Sequence, residues 1–182
     1  MGRPKLMLPW QGRPIIAHVL QGCITSLATR TVVVVRSDDQ SLVDECGRWD
    51  VDLVFNDREM ADMKSSVQHA LDWIATTYGP SDRDTWLLAP ADVVGITSKT
   101  INHILDAYDP QAPSIVAPVA NAVRGHPVLF PWRYASEVYD LGPQEGVNAL
   151  LARHGVHEIT DSSDAILTDI DTPEDYERLV RG

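Results

Sequence analysis

The sequence predicts a three-layer α/β domain with a mostly parallel sheet. Short apolar runs alternate with amphipathic stretches along the whole chain, the rhythm of strand and helix in layered folds. One run, VVVV at Val32 to Val35, has the pattern of a strand buried on both faces. The chain has 182 residues, 44% of them hydrophobic, enough for one core without staples.

The elements follow in order. Pro14 opens a helix running to about Ala28, with Ile15, Ile16, Val19 and Leu20 on its apolar face. After the VVVV strand, Asp38 or Asp39 caps a helix carrying Leu42, Val43 and Cys46. VDLVF at Val51 to Phe55 is a strand, and Ser65 begins a helix through Val67, Ala70, Leu71 and Ile74. TWLLA at Thr85 to Ala89 is strand-like, and Thr97 caps a helix with Ile101, Ile104 and Leu105. Strands follow at Ser114 to Val119 and Pro127 to Phe130. The Pro- and Gly-richer region from Asp109 to Pro131 reads as a less regular insertion beside a pocket. Leu150 sits in a helix, HEIT and AILTDI read as short strands, and Pro173 opens the last helix. There is no repeat, low-complexity tract or evident boundary, so residues 1–182 read as one domain.

Fifteen Lys and Arg stand against 26 Asp and Glu, for a net charge of -11. That argues against non-specific nucleic-acid binding, which needs cations for the phosphates. A nucleotide remains possible where a divalent metal bridges the charges. Cys23 and Cys46 lack metal-ligand spacing and read as small buried side chains. No apolar run approaches the length of a membrane-spanning helix, and the start lacks a signal-peptide core. A cytoplasmic location is the default expectation.

Several residues stand out chemically, each with a plainer alternative. Gly2, Arg3 and Lys5 could wrap a phosphate, or form a frayed basic terminus. Asp92 follows a strand, where α/β sheets build ligand crevices, and could hold magnesium or cap the next helix. Asp169 and Asp171 are two apart, so an extended segment turns both to one face. The TPED that follows reads as a helix start, with Thr172 as cap and Pro173 in first position. Ser65 and Ser66 at a helix start could receive an anion or base edge, or simply cap.

MGRPKLMLPWQGRPIIAHVL resembles the N-terminal signature of the MobA-like nucleotidyltransferases, and within them the MocA-like molybdenum cofactor cytidylyltransferases. Met1, Gly2 and Lys5 match the last positions of that family's glycine-rich loop, and Leu8, Pro9, Trp10 and Gly12 the stretch beyond. The family's first strand, early glycines and loop arginine have no counterpart. LLAPADVV resembles its metal-binding segment, with Asp92 on the aspartate and Val94 where proline is usual. Met63, Ser65 and Ser66 match a GMSSSL-like motif from which Lys64 departs. RGHPVLF at Arg124 to Phe130 and DIDTPED at Asp169 to Asp175 match most specifically. Gly146, Ala149, Leu150 and Leu151 match a GDQGARALL-like segment, in which Glu145 and Asn148 are substitutions.

The resemblance implies a three-layer Rossmann-like nucleotidyltransferase fold with a mostly parallel mixed sheet, lacking its central first strand. It implies magnesium-dependent transfer of CMP from CTP, with GTP as the alternative, to molybdopterin or molybdenum cofactor with release of pyrophosphate. It assigns Lys5 and Asp92 to catalysis, and Gly2, Arg3, Lys5, Ser65 and Ser66 to the nucleotide. Arg124, His126 and Asn148 fall to the second substrate, and Asp92 with Asp169 or Asp171 to the metal, Asp169 preferred. A molybdoenzyme or chaperone is the expected partner, with neither nucleic acid nor membrane. The contrasting expectation is a degenerate nucleotide-binding protein without turnover. A dinucleotide-dependent dehydrogenase is disfavoured because no GxGxxG follows a first strand.

Overall fold

The computed structural model describes residues 4–57, 62–161 and 163–181. A short 3-10 turn, Lys5–Met7, leads into a tight hairpin of β1 (Pro9–Trp10) and β2 (Arg13–Pro14). Then come α1 (Ile15–Ile24), β3 (Val32–Val35), α2 (Gln40–Cys46), β4 (Asp52–Phe55), α3 (Met63–Tyr78), β5 (Thr85–Leu88) and α4 (Ser98–Asp106). The second half holds β6 (Ile115–Ala120), β7 (Val123–Arg124), β8 (Val128–Pro131), α5 (Ala149–His154), β9 (Val156–Thr160) and α6 (Pro173–Arg181).

The expected class is realised as a mixed sheet. β8 lies antiparallel between β5 and β6, β7 folds back on β6, and β9 runs parallel to β6. β5, β6 and β9 therefore share one direction, with β8 reversed among them. The 109–131 region is not an irregular insertion. It supplies β6 to β8, and Ile115, Val116, Ala117 and Leu129 are fully buried. Pro113, Gly125, Pro127 and Pro131 fall at strand ends and in the turn between them, while Pro118 lies buried within β6. AILTDI is also not a strand. Asp164–Leu167 forms a 3-10 turn with Ile166 fully buried.

α1 stops at Ile24, short of the expected Ala28. The Thr25 and Ser26 hydroxyls donate back to the Gln21 and Cys23 carbonyls and close the last turn. At α2 and α4 the caps fall as expected. Asp39 accepts from the Leu42 amide, and Thr97 from the Thr100 amide.

β3 and β4 form a separate two-stranded parallel sheet, not hydrogen-bonded to the larger one. Two helices bridge the seam. On α1, Ile16 and Leu20 pack with Val35 and Leu42, whereas Val19 packs with Val93, Ile96, Leu87 and Ala89. On α3, Val67 and Leu71 join Trp86 and Phe130, and His69 and Tyr78 reach the Phe55 carbonyl and the Asp52 carboxylate of β4. Burial of an apolar side chain such as Ile16 or Leu20 is worth about 1.5–3 kcal/mol, so these helices hold the two sheets firmly. VVVV was expected to be fully buried, yet only Val35 is; Val32, Val33 and Val34 remain half-buried beside the seam.

Candidate active site

The carboxyl end of β5 gathers residues from four distant stretches of sequence. Asp92 lies in the turn after β5, near Val93, which is buried against α1. Lys5 is brought there by Leu6 and Met7, which pack with Val33, Val35 and Ala91. Asp171 arrives from the other end of the chain. Its neighbour Ile170 is fully buried against Ile15 and Val94. Val94, in place of the family's proline, is thus the apolar joint that seats both chain ends.

Lys5 Nζ donates to Asp92 Oδ2 at 2.7 Å and to Asp171 Oδ1 at 2.9 Å. The Asp92 side chain is 23% exposed and that of Asp171 63%. Burial works against the ammonium charge, but hydrogen bonds and attraction from both carboxylates outweigh it and hold the Lys5 pKa above its ordinary value.

Asp171 had two expected roles, helix cap or site residue, and the structure separates them. Thr172 and Asp175 form a reciprocal cap: the Thr172 amide donates to Asp175 at 2.8 Å, and the Asp175 amide to Thr172 Oγ1 at 3.2 Å. The Asp171 carboxylate is left to Lys5. Asp169, preferred on sequence, instead lies close enough to His126 to act on its charge.

His126 completes this edge. The Leu88 backbone at the end of β5 lies close enough to favour its charged form. Burial nevertheless pushes its pKa below the ordinary value, outweighing the pull of Asp92, the Leu88 backbone and Asp169, so the ring is neutral at pH 7. Nδ1 is buried with no hydrogen-bond partner among the described residues. A buried, unpaired ring nitrogen is costly, and a ligand or an ordered water can supply its missing partner.

Gly125 permits this close packing. A Cβ there would lie 2.7 Å from the Ile166 carbonyl oxygen, and one at Gly95 would lie 2.2 Å from that of Ala165. The 164–167 turn is seated between these two glycines, which delivers Asp169 and Asp171 to the site.

The remaining expected residues lie elsewhere. Ser65 is consumed by capping: its amide donates to Asp62 Oδ1 at 2.7 Å and its hydroxyl to the Asp62 carbonyl at 2.9 Å. The Ser66 amide also bonds the Asp62 carbonyl. Sequence reading passed over Asp62, although an Asp immediately before a helical run signals a cap. Lys64 donates to the Gly142 carbonyl at 2.6 Å and ties α3 to the loop leading to exposed Asn148. Arg124 pairs with Glu158 on β9 at 2.6 Å. Gly2 and Arg3 lie outside the described residues. Two surface clefts, one lined by Thr31 and Asp52 and the other by Leu71 and Trp132, contain none of these residues.

Among the described residues, no three His, Cys, Asp or Glu side chains converge tightly enough to enclose a metal ion. The donor chemistry still suits a hard cation. Two carboxylates share one positive charge, now carried by Lys5, and magnesium commonly takes only one or two carboxylates, with water and substrate phosphate completing its shell.

The carboxyl ends of strands are where open α/β sheets commonly build their ligand sites, and here an acidic pair and a lysine gather at one. The comparisons agree. A profile of the MobA-like NTP transferase domain matches residues 1–159, and the chain belongs to that family. It is similar to Rv0371c of Mycobacterium tuberculosis H37Rv at 21% identity and TM-score 0.84, covering 100% of this chain and 91% of that one. The manganese complex of that protein matches at 22% identity and TM-score 0.82, covering 100% and 94%. Molybdopterin-guanine dinucleotide biosynthesis protein A from Archaeoglobus fulgidus matches at 16% identity and TM-score 0.66, covering 99% and 90%. A search of curated proteins found no match. The protein is a nucleotidyltransferase by family, and no helix among its described residues is long and apolar enough to cross a membrane.

Proposed function

We propose that the protein transfers CMP from CTP to molybdopterin or a molybdenum-loaded form of it, with magnesium and release of pyrophosphate. The observation that carries this reading is the meeting of Lys5, Asp92 and Asp171 beside the unpartnered Nδ1 of His126. A phosphate of the acceptor attacks the α-phosphorus while the bond to pyrophosphate breaks, so two anions must be brought together. Magnesium, when bound, offsets the charge on the α-phosphate. Asp92 and Asp171 would hold it, with Asp169 within reach of the same edge. Lys5 steadies the triphosphate. His126, neutral, accepts a hydrogen bond from the acceptor and orients it. Arg124 and Asn148 belong to the outer rim of the second-substrate face, and Ser65 and Ser66 to that of the nucleotide. The manganese bound by the Mycobacterium tuberculosis relative and the product named for the Archaeoglobus protein support this class of chemistry.

The test is calorimetric titration with CTP and with GTP, each with and without magnesium. Metal-dependent CTP binding followed by CMP transfer to molybdopterin supports the assignment. GTP binding alone moves the donor to guanosine. Binding of CTP without transfer leaves a nucleotide-binding protein without turnover. Binding of neither nucleotide, with or without magnesium, removes the assignment.

A further inference from the structure

We infer that Lys5 is the built-in counter-cation of the acidic pair, and that a divalent metal ion and Lys5 exchange places there, the entering metal releasing the ammonium to the nucleotide phosphates. This rests on the reading of Asp92 and Asp171 as metal ligands and adds the order in which the site is loaded.

The geometry makes the two cations alternatives. One Nζ lies within 2.9 Å of both carboxylates, with an oxygen of each turned inward. Magnesium holds such oxygens at about 2.1 Å, so a small closure of the same pair suffices to take the ion. An ammonium and a dication cannot both sit between two carboxylates, because their mutual repulsion at that separation removes the attraction that either one enjoys.

The parts that must move are able to. The Lys5 side chain is 31% exposed, and its backbone is fixed by Leu6 and Met7 in the core. A flexible four-carbon stem on a fixed pivot can swing its charge without disturbing the fold. Asp171 is the more exposed partner and the one free to close, while Asp92 is held near the buried Val93. Before exchange, Lys5 holds two like charges together that would otherwise repel. After it, the lysine is charged, unpaired and directed at the position of the triphosphate. Lysine therefore adds to nucleotide affinity only once metal is present, and binding is ordered, metal first.

The experiment uses the full chain without nucleotide. Mn2+ affinity is measured by electron paramagnetic resonance for the parent, for Lys5→Met and for Asp92→Asn, after each is shown to melt cooperatively. Mg2+ is then titrated while the 15N resonance of the Lys5 ammonium is followed. Exchange predicts Mn2+ binding about three- to tenfold tighter in Lys5→Met, the scale of one half-exposed ion pair. It also predicts a Lys5 signal that shifts or disappears at the same Mg2+ concentration that fills the site, and does neither in Asp92→Asn. Equal Mn2+ affinity in parent and Lys5→Met, or a Lys5 signal unmoved by saturating Mg2+, overturns the exchange and leaves the metal site standing. Absence of Mn2+ binding in parent and Lys5→Met alike, or undiminished binding in Asp92→Asn, overturns the metal reading and the exchange with it.

Discussion

At the N-terminus of α3, Asp62 accepts the Ser65 amide, the Ser65 hydroxyl returns to the Asp62 carbonyl, and Lys64 is held by the Gly142 carbonyl. At the carboxyl end of β5, Lys5 bridges two carboxylates that are 87 and 166 residues away in sequence, and a ring nitrogen of His126 has no partner among the described residues. The two regions use the same vocabulary of Asp, Lys and small polar side chains. In the first, near neighbours satisfy one another. In the second, the fold assembles groups whose charges and lone pairs exceed what the protein itself can use. The second has the capacity to take a ligand that the first has largely spent on its own caps.

Substitutions can break this contrast. Asp92→Asn carries the largest expected effect, a loss of about 10²–10³ in kcat, the scale of removing one group that stabilises transition-state charge. Its melting temperature should stay close to the parent's, since the lost partner is half-buried and Lys5 retains Asp171. Steady-state kinetics with a thermal melt would check both, and equal turnover in the two proteins would remove Asp92 from the metal site. Lys5→Ala comes next: with magnesium present, CTP affinity should fall about tenfold, the equivalent of ~1.4 kcal/mol, as read by calorimetry. Ser65→Ala should change nucleotide affinity by less than about twofold, because the Asp62 carboxylate still caps the helix. A larger loss would move Ser65 from the rim into direct contact with the nucleotide.

The smallest effect concerns pH. His126 has a folded pKa below its unfolded value of about 6.5, through burial. Above pH 6.5 both states are neutral there and the residue adds no pH dependence. As pH falls from 6.5 towards the folded pKa, the unfolded state gains protons that the folded state does not, and stability declines. The melting temperature should fall between pH 7 and pH 5, and His126→Gln should fall less. Equal slopes would mean that the ring is more open to water than its packing indicates.

Much of the architecture was legible because it is written in local patterns. The periodicity of Ile15, Ile16, Val19 and Leu20, the cap at Thr97 and the box at Thr172 to Asp175 each depend on neighbours within a few residues. The misreadings arose where distant packing decides. AILTDI has strand-like composition, but glycines 40 to 70 residues earlier admit it as a tight turn against the sheet. The Pro-rich 109–131 region became core because β6 and β8 are continuous apolar runs buried on both faces between its turns. Asp92 and the DIDTPED pair were visible as candidates, but their meeting across Lys5 was not, since no local pattern encodes a contact of 166 residues' separation. Asp171 rather than Asp169 reaches Lys5 because Thr172 had already taken the cap.

The two stretches that close the site, Lys5 to Pro9 and Ile170 to Tyr176, lie near opposite ends of the chain, and Tyr176 even donates to the Pro9 carbonyl at 2.6 Å. On a ribosome this has a plain meaning. Most of the sheet and its helices can pack while the last stretch is still in the exit tunnel, but Lys5 then faces one carboxylate instead of two. The nascent protein is a folded body without a finished centre, and it acquires that centre when the Ile170 to Tyr176 stretch emerges and docks.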